Sequence, residues 1–309
     1  MVRSALDDIE MPGGDFHFQR LVIDGVNNGD VLAANKPEMA NEEICLFHSS
    51  AAEGATYIQK IQNRVQQSLA NRLPLPIVRF ADGEYAFYAL SLDCNGLYRQ
   101  AESTAAIKAA LPLHTEALKI LSKAGLIAPL IFPGNIDQPA KGFMALLRQL
   151  KKRPSASTFL QFLCNSAISL TGDNYLPFYV VYAWLSSAPF ARLMDGKKIC
   201  LIGSECDQDA CRRWFARVDS RPEIVFAEIP AEYVATRWST MKDNLLANIP
   251  ANTDLCLVGA GIGALPVCVD TAAAFSIPVI DAGHVFNMMN DRVDKSNGAR
   301  LYTQYKNFA

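Results

Sequence analysis

The sequence has no excess of positive charge: 29 Lys and Arg stand against 31 Asp and Glu in 309 residues. Such a chain has no overall field of the kind that holds nucleic acid by its phosphates, so any anionic ligand must be held locally. It also lacks an unbroken apolar run of the roughly 20 residues that a membrane helix needs. The longest candidates, LIAPLIF at 126–132 and the stretch 254–269, are interrupted by Pro or Gly. Asp7, Asp8 and Glu10 stand where a signal peptide would carry an apolar core. The expectation is a cytoplasmic protein, with peripheral attachment to a membrane left open. The eight cysteines include no CxxC pair. Cys200, Cys256 and Cys268 lie inside apolar segments, where a reduced thiol serves as a small hydrophobe, so neither a zinc site nor a disulfide framework follows.

What is present is enough apolar material for a large core, half of all residues, and a regular alternation of patterns. Residues 1–54 show no sustained periodicity. FHFQRLVID (16–24) and VLAAN (31–35) would make a β-hairpin about Asn28-Gly29, or else an irregular arm against the domain or a partner subunit. From residue 55 to 309 a single domain is expected. Strands are predicted at 77–80, 126–132, 197–202, 223–227, 254–258 and 277–281. Helical spacing is predicted at 84–92, 103–124, 140–151, 156–170, 174–187, 207–217, 231–247 and 264–275. Short apolar strands alternating with helices give an α/β, Rossmann-like fold, a mostly parallel sheet of about six strands with helices on both faces. The stretch 140–190 has no convincing strand and would form a cap over the sheet. Ligands of such sheets bind beyond the carboxyl ends of the strands.

Two strand ends carry unusual chemistry. IVRFADGEYAFY, at 77–88, runs from an apolar strand into Arg79, Asp82 and Glu84. If the segment stays extended, Asp82 and Glu84 share a face across Gly83, an arrangement that calls for a divalent cation or an arginine between them. Arg79 could serve there or grip a phosphate. If a helix begins at once, Asp82 is its N-cap and Glu84 lies in its first turn. A charge inside IVRF needs a buried partner or a ligand in either case.

The second is the stretch 254–286, which reads as strand, glycine turn, helix and strand, with Gly259, Gly261 and Gly263 in the turn. Glycines let a backbone approach a phosphate, and the helix that follows offers its free N–H groups. GAGIGA with Asp281 about 20 residues on also fits a dinucleotide fingerprint. That makes an NAD(P)-binding oxidoreductase a rival, although the fingerprint here lies at the C-terminal end rather than opening the domain. Glycines that serve only tight packing are the third reading. His284 is one of four histidines and alone directly follows a predicted strand.

VRFADGE resembles the RFGDGE signature of the GT-D fold glycosyltransferases (DUF1792-like), with Ala81 in place of the glycine. Gln100 sits where that family has a glutamine before its next helix. KKICLIGSE, with Gly203, resembles its central strand and turn, and the stretch 257–285 resembles its closing segment with a D-x-G-H at Asp281, Gly283 and His284. The resemblance implies transfer of a sugar from a nucleotide diphosphate, a UDP-sugar, to a hydroxyl of a glycan or of a lipid-linked or protein-linked acceptor in polysaccharide or glycoprotein biosynthesis. It implies Mn²⁺ or Mg²⁺ held by Asp82 and Glu84, with those two and His284 as catalytic residues. Substrate binding falls to Arg79, Gly83, Gln100, Gly203, Gly259, Gly261, Gly263, Asp281 and Gly283. Nucleic acid is not an expected partner. A homo-oligomer and a catalytically silent nucleotide-binding subunit stay open.

Overall fold

The computed structural model describes residues 19–21, 44–46, 54–92, 100–131 and 154–289. A short antiparallel pair comes first, β1 (Gln19–Leu21) with β2 (Ile44–Leu46). The strand paired with β1 is therefore Ile44–Leu46, whereas the hairpin read around Asn28-Gly29 lies outside the described residues. All six apolar runs form strands of one sheet: β3 (Leu75–Phe80), β4 (Leu126–Pro129), β5 (Lys198–Gly203), β6 (Glu223–Glu228), β7 (Leu255–Gly259) and β8 (Pro278–Asp281). Their order is β4-β3-β8-β7-β5-β6, with every neighbouring pair parallel. Parallel strands covered on both faces need no polar alternation, and β3, β4 and β8 are buried along their whole length. β6, at one edge, exposes Glu223 and Glu228. Beyond β4 the chain adds one isolated parallel bridge, Ile127 with Tyr175. The Lys60 ammonium holds that turn by donating to the carbonyls of Gly172 and Tyr175.

Ten helices are described: α1 (Gly54–Asn71), α2 (Asp82–Tyr88), α3 (Thr104–Ala124), α4 (Ala156–Asn165), α5 (Phe178–Leu185), α6 (Ala188–Leu193), α7 (Gln208–Ala216), α8 (Val234–Asn248), α9 (Ala264–Phe275) and α10 (His284–Met289). Parallel crossovers are right-handed, so the direction in which a connection steps along the sheet decides the face its helix covers. The steps β3 to β4, β6 to β7 and β7 to β8 run one way, and their helices α3, α8 and α9 pack on one another. The step β5 to β6 runs the other way and sends α7 to the opposite face. There Trp184 of α5, Phe190 of α6 and Trp214 and Phe215 of α7 form a chain of ring contacts, and the Trp184 indole donates to Gln62 of α1.

The expected cap is not what the described part of 140–190 forms. Residues 140–153 lie outside the description, and α5 packs on β3, β4 and α1 as a member of the sheet's covering layer. The predicted helix over 174–187 starts only after Pro177 and gives way at Ser186 and Ser187, the latter capping α6. α4 packs against α2, with Phe159 stacked on Phe80 and Tyr85.

His114 of α3 is fully buried, its Nε2 at 2.8 Å from the Ala235 carbonyl and its Nδ1 at 3.4 Å from the Tyr88 hydroxyl. These partners fix the tautomer, because Nε2 must donate to a carbonyl while Nδ1 accepts. Burial lowers the imidazole pKa to about 4. The unfolded chain therefore takes up a proton before the folded one does. His114 should contribute stability above about pH 6.5 that is lost as the pH falls toward 4, up to about 3 kcal/mol. Urea denaturation across that range should show the loss in the wild type and a smaller one in His114→Gln.

Candidate active site

β3, β8 and β7 are neighbours, so the three segments singled out in the sequence leave the same edge of the sheet side by side. The ends of β3 and β8 are joined by a buried ion pair. Arg79 is 6% and Asp281 5% exposed, and the Arg79 Nη2 donates to Asp281 Oδ1 at 2.7 Å. The Arg79 backbone N–H donates to Oδ2 at 3.3 Å, and Nε donates to the Asp281 carbonyl at 3.0 Å. The guanidinium also lies over the ring of Tyr182, 4.1 Å from its centroid, and near that of Phe178 at 5.1 Å. Burial works against the charge of Arg79, but Asp281 and then Tyr182 hold its pKa above the ordinary value. Burial likewise pushes the Asp281 carboxyl up, opposed by Arg79. With two hydrogen bonds from Arg79 on that carboxylate, the ionised pair prevails at neutral pH.

Gly283 is required by this pair. Its φ is +47°, and a Cβ there would run into the guanidinium. Its neighbour Ala282 donates to the Val258 carbonyl of β7 at 2.9 Å, which ties the turn after β8 to the strand bearing the glycine turn. His284 opens α10; its side chain is outside the description.

Asp82 and Glu84 do not share the face of an extended segment. The chain turns directly into α2 with Ala81 as N-cap, Asp82 as the first helical residue and Glu84 as the third. Glu84 reaches back, its Oε2 accepting from the Ala81 N–H at 2.8 Å, which is half of a capping box. Asp82 is exposed. Part of Glu84 reaches solvent, but its carboxyl is withdrawn enough that burial, with Asp281 nearby, raises its pKa to about 7. It makes no ion pair among the described residues. Among these residues, too, no group of three or more His, Cys, Asp or Glu is arranged to hold a metal ion.

The glycine turn is packed closely by the protein itself. Gly261 to Gly263 form one 3-10 turn ahead of α9. A Cβ on Gly261 (φ +53°) would meet the Gln100 carboxamide at 2.6 Å, and one on Gly263 would meet Val234 at 2.6 Å. Gly203 and Gly259 pair in register across β5 and β7, and the Phe286 ring of α10 lies on both, at 2.9 and 3.3 Å from the places of their missing Cβ atoms. Two of the turn's N–H groups are also used internally: Ile262 donates to Gln100 Oε1 at 3.2 Å and Gly263 to the Ala260 carbonyl at 3.1 Å. At these positions the glycines serve close packing, the reading set beside the phosphate turn above. Gly83 is different, because a Cβ there would meet only Ile262 at an ordinary 3.8 Å, and α2 lies beside the glycine turn. Asp281, offered as a ribose carboxylate, has both oxygens occupied by Arg79. Cys256 and Cys268 are buried thiols whose pKa burial raises well above the ordinary value, as expected of core residues.

Four residues of this edge were not singled out in the sequence: Phe178, Tyr182, Val234 and Phe286. Tyr182 follows Phe178 by four on one face of PFYVVYAW, a spacing that marks an aromatic pair but not the guanidinium it covers. Phe286 and Val234 are set by long-range packing against glycines, and no local pattern announces them.

Residues 152–289 match the family model of the GT-D-like proteins, described as a GT-D fold-like domain. The six-stranded parallel sheet with its surrounding helices is an α/β fold. The chain is similar to two solved structures of the domain of unknown function 1792, one of a selenomethionine-substituted protein and one described as having a distinct glycosyltransferase fold. Each is 15% identical, with a TM-score of 0.42, over 76% of this chain and 84% of the other. No curated protein matches the chain. Among the described residues no helix is long and apolar enough to cross a membrane.

Removing one member of the Arg79–Asp281 pair should strand the other. Arg79→Met is expected to cost about 3–5 kcal/mol, with much of that recovered in Arg79→Met/Asp281→Leu, as read by the urea midpoint. A raised carboxyl pKa has the opposite sign to that of His114: Glu84 contributes stability below about pH 4.5 that is lost as the pH rises through about 7. Relative to Glu84→Gln, which keeps an oxygen for Ala81, the wild type should therefore lose thermal stability between pH 5 and pH 8. An unchanged difference would show that Glu84 is not withdrawn from water.

Proposed function

We propose that the chain is a metal-dependent glycosyltransferase that moves a sugar from a nucleotide diphosphate donor, a UDP-sugar, to an acceptor hydroxyl in glycan or glycoprotein biosynthesis. One observation carries the reading: the Arg79–Glu84, Asp281–His284 and Gly259–Gly263 segments, far apart in sequence, end on the adjacent strands β3, β8 and β7. The match of residues 152–289 to the GT-D-like family supports the reaction class.

The electrostatics of the edge support a cation. Among the described residues Asp82, Glu205, Asp207 and Glu228 are exposed at or just beyond the strand ends, and Arg79 is committed to Asp281. A nucleotide diphosphate is itself strongly anionic, and a divalent cation carried with it lowers the cost of bringing it beside carboxylates. Asp82 and Glu84 fit such a cation, since a withdrawn carboxylate with no ion pair is short of positive charge. Two carboxylates suffice for Mg²⁺ or Mn²⁺ when phosphate oxygens and water complete the shell. Bound there, the cation would neutralise charge building on the leaving diphosphate. The acceptor oxygen bonds to the anomeric carbon while the bond to the diphosphate oxygen breaks, its electron pair leaving on phosphate. The hydroxyl proton passes to a carboxylate of the Asp82–Glu84 pair, and His284 donates to a phosphate oxygen. Arg79 and Asp281 act from behind, by holding the turns in place.

The NAD(P) oxidoreductase reading fits the edge less well, because Gln100 lies on Gly261 and Arg79 occupies Asp281. In thermal-shift and hydrolysis assays over a panel of nucleotide sugars, a UDP-sugar with Mn²⁺ or Mg²⁺ is expected to stabilise and to be hydrolysed slowly. Asp82→Asn should lose at least about tenfold of the turnover. No response to any nucleotide sugar, together with enhanced NADH fluorescence on mixing, would favour the oxidoreductase.

A further inference from the structure

The strands β5 and β7 lie side by side, but the chain leaves their carboxyl ends in opposite directions. From β5 it steps to β6 through α7, on one face of the sheet, and from β7 it steps to β8 through α9, on the other. Where neighbouring strands part in this way their loops open a crevice, and ligands of parallel sheets bind there. In this chain the crevice falls between Gly203 and Gly259, the paired last residues of the two strands. Both are glycines, so neither puts a side chain into it.

The crevice is filled from within the chain. Phe286 of α10 is 4% exposed. Its Cγ and Cδ1 lie 3.5 and 3.3 Å from the place of a Cβ on Gly259, and its Cε1 and Cζ lie 2.9 and 3.2 Å from that of a Cβ on Gly203. One edge of the ring thus spans both strand ends, and a side chain on Gly203 would press it out. The helix that brings the ring is short and packs on β7 and α7. It begins directly after Gly283, whose φ of +47° only glycine adopts readily. Arg79 holds the chain at Asp281, and a fixed anchor followed by a glycine makes a pivot for what comes next. Val285 and Met289 are buried along with Phe286, so the ring stays seated until a ligand offers replacement contacts.

We propose that Phe286 is a stopper: it occupies the crevice in the ligand-free chain, and the base of the nucleotide donor takes its place when α10 turns outward at Gly283. The proposal rests on the transferase reading and adds a closed state to it. A flat base offers the two glycines the same kind of surface as the phenyl ring, so one ring replaces another. Gly259 also opens the glycine turn, which puts the crevice next to the edge that meets the diphosphate. His284 lies two residues before Phe286 on the same helix, so the movement that seats the base also carries His284. Binding has to displace the stopper, and the measured affinity is lowered by the share of chains that are closed.

Titration calorimetry with UDP in Mn²⁺ and with uridine, combined with hydrogen exchange at the Val285 and Phe286 amides, tests the stopper on the full chain. Those amides donate to the carbonyls of Ala282 and Gly283 at 3.0 and 3.1 Å, and saturating UDP should speed their exchange at least about tenfold. Phe286→Ala removes the ring and keeps both glycines. It should bind UDP and uridine at least about tenfold more tightly than the wild type, even though its thermal midpoint falls. A phenylalanine that only packs the core predicts the same fall with binding unchanged or weaker. If Phe286→Ala does not fold, exchange in the wild type decides alone. If the wild type binds UDP with no change in exchange at Val285 and Phe286, or if Phe286→Ala gains affinity for neither ligand, the stopper is overturned and the transferase reading stands. A gain for UDP without one for uridine overturns it too, since the base is then not what takes the seat. If neither the wild type nor Phe286→Ala binds any nucleotide sugar with metal, the transferase reading fails and the stopper falls with it.

Discussion

The candidate site depends on one buried ion pair between strands that are 202 residues apart in sequence. An arginine in the apolar run PIVRF would be untenable alone, since an unpaired charge in that layer costs several kcal/mol. Asp281 compensates it, and the rings of Tyr182 and Phe178 cover its flat face. Such pairs add little net stability compared with apolar residues of the same shape, and their value lies in allowing only one arrangement. Here the pair fixes the relative height of the ends of β3 and β8. The positions of the Asp82–Glu84 turn, of Gly283 and of α10 all follow from that height. Arg79 and Asp281 therefore shape the edge without being free to hold a ligand themselves.

Much of the fold was legible because it follows from period and punctuation. Each of the six strands is a short apolar run bounded by Pro, Gly or polar residues, and the alternation with helical spacing led directly to a parallel sheet. Other elements depend on partners rather than on local pattern. β1 pairs with Ile44–Leu46, a partner that no local pattern announces. The stretch thought to cap the sheet instead contributes α5 to its covering layer, because PFYVVYAW is apolar all round and can be buried on every side.

At the site, residue types were legible and their roles were not. Arg79, Asp82, Glu84, Gln100 and Asp281 were all marked by sequence, yet an extended strand end and a helix start have the same letters through Ala81-Asp82-Gly83-Glu84. The choice of helix separates the two carboxylates and gives Glu84 to the Ala81 N–H. Glycines pose the same difficulty, since a missing Cβ makes room equally for a phosphate and for a side chain. At Gly203, Gly259, Gly261, Gly263 and Gly283 the space is taken by Phe286, Gln100, Val234 and Arg79, none of which a reading of the loop alone could supply.

The strand order has a consequence for how the chain is made. β8 lies between β3 and β7, so it joins a two-stranded half, β4-β3, to a three-stranded half, β7-β5-β6. During vectorial synthesis both halves can pair before β8 exists, but each then has one long, apolar, unpaired edge. Arg79 also has no counter-charge until Asp281 leaves the ribosome. β8, the last of the described strands to be synthesised, is the keystone of the sheet, and an interrupted translation that stops before it would leave two sticky half-sheets with an unneutralised arginine between them.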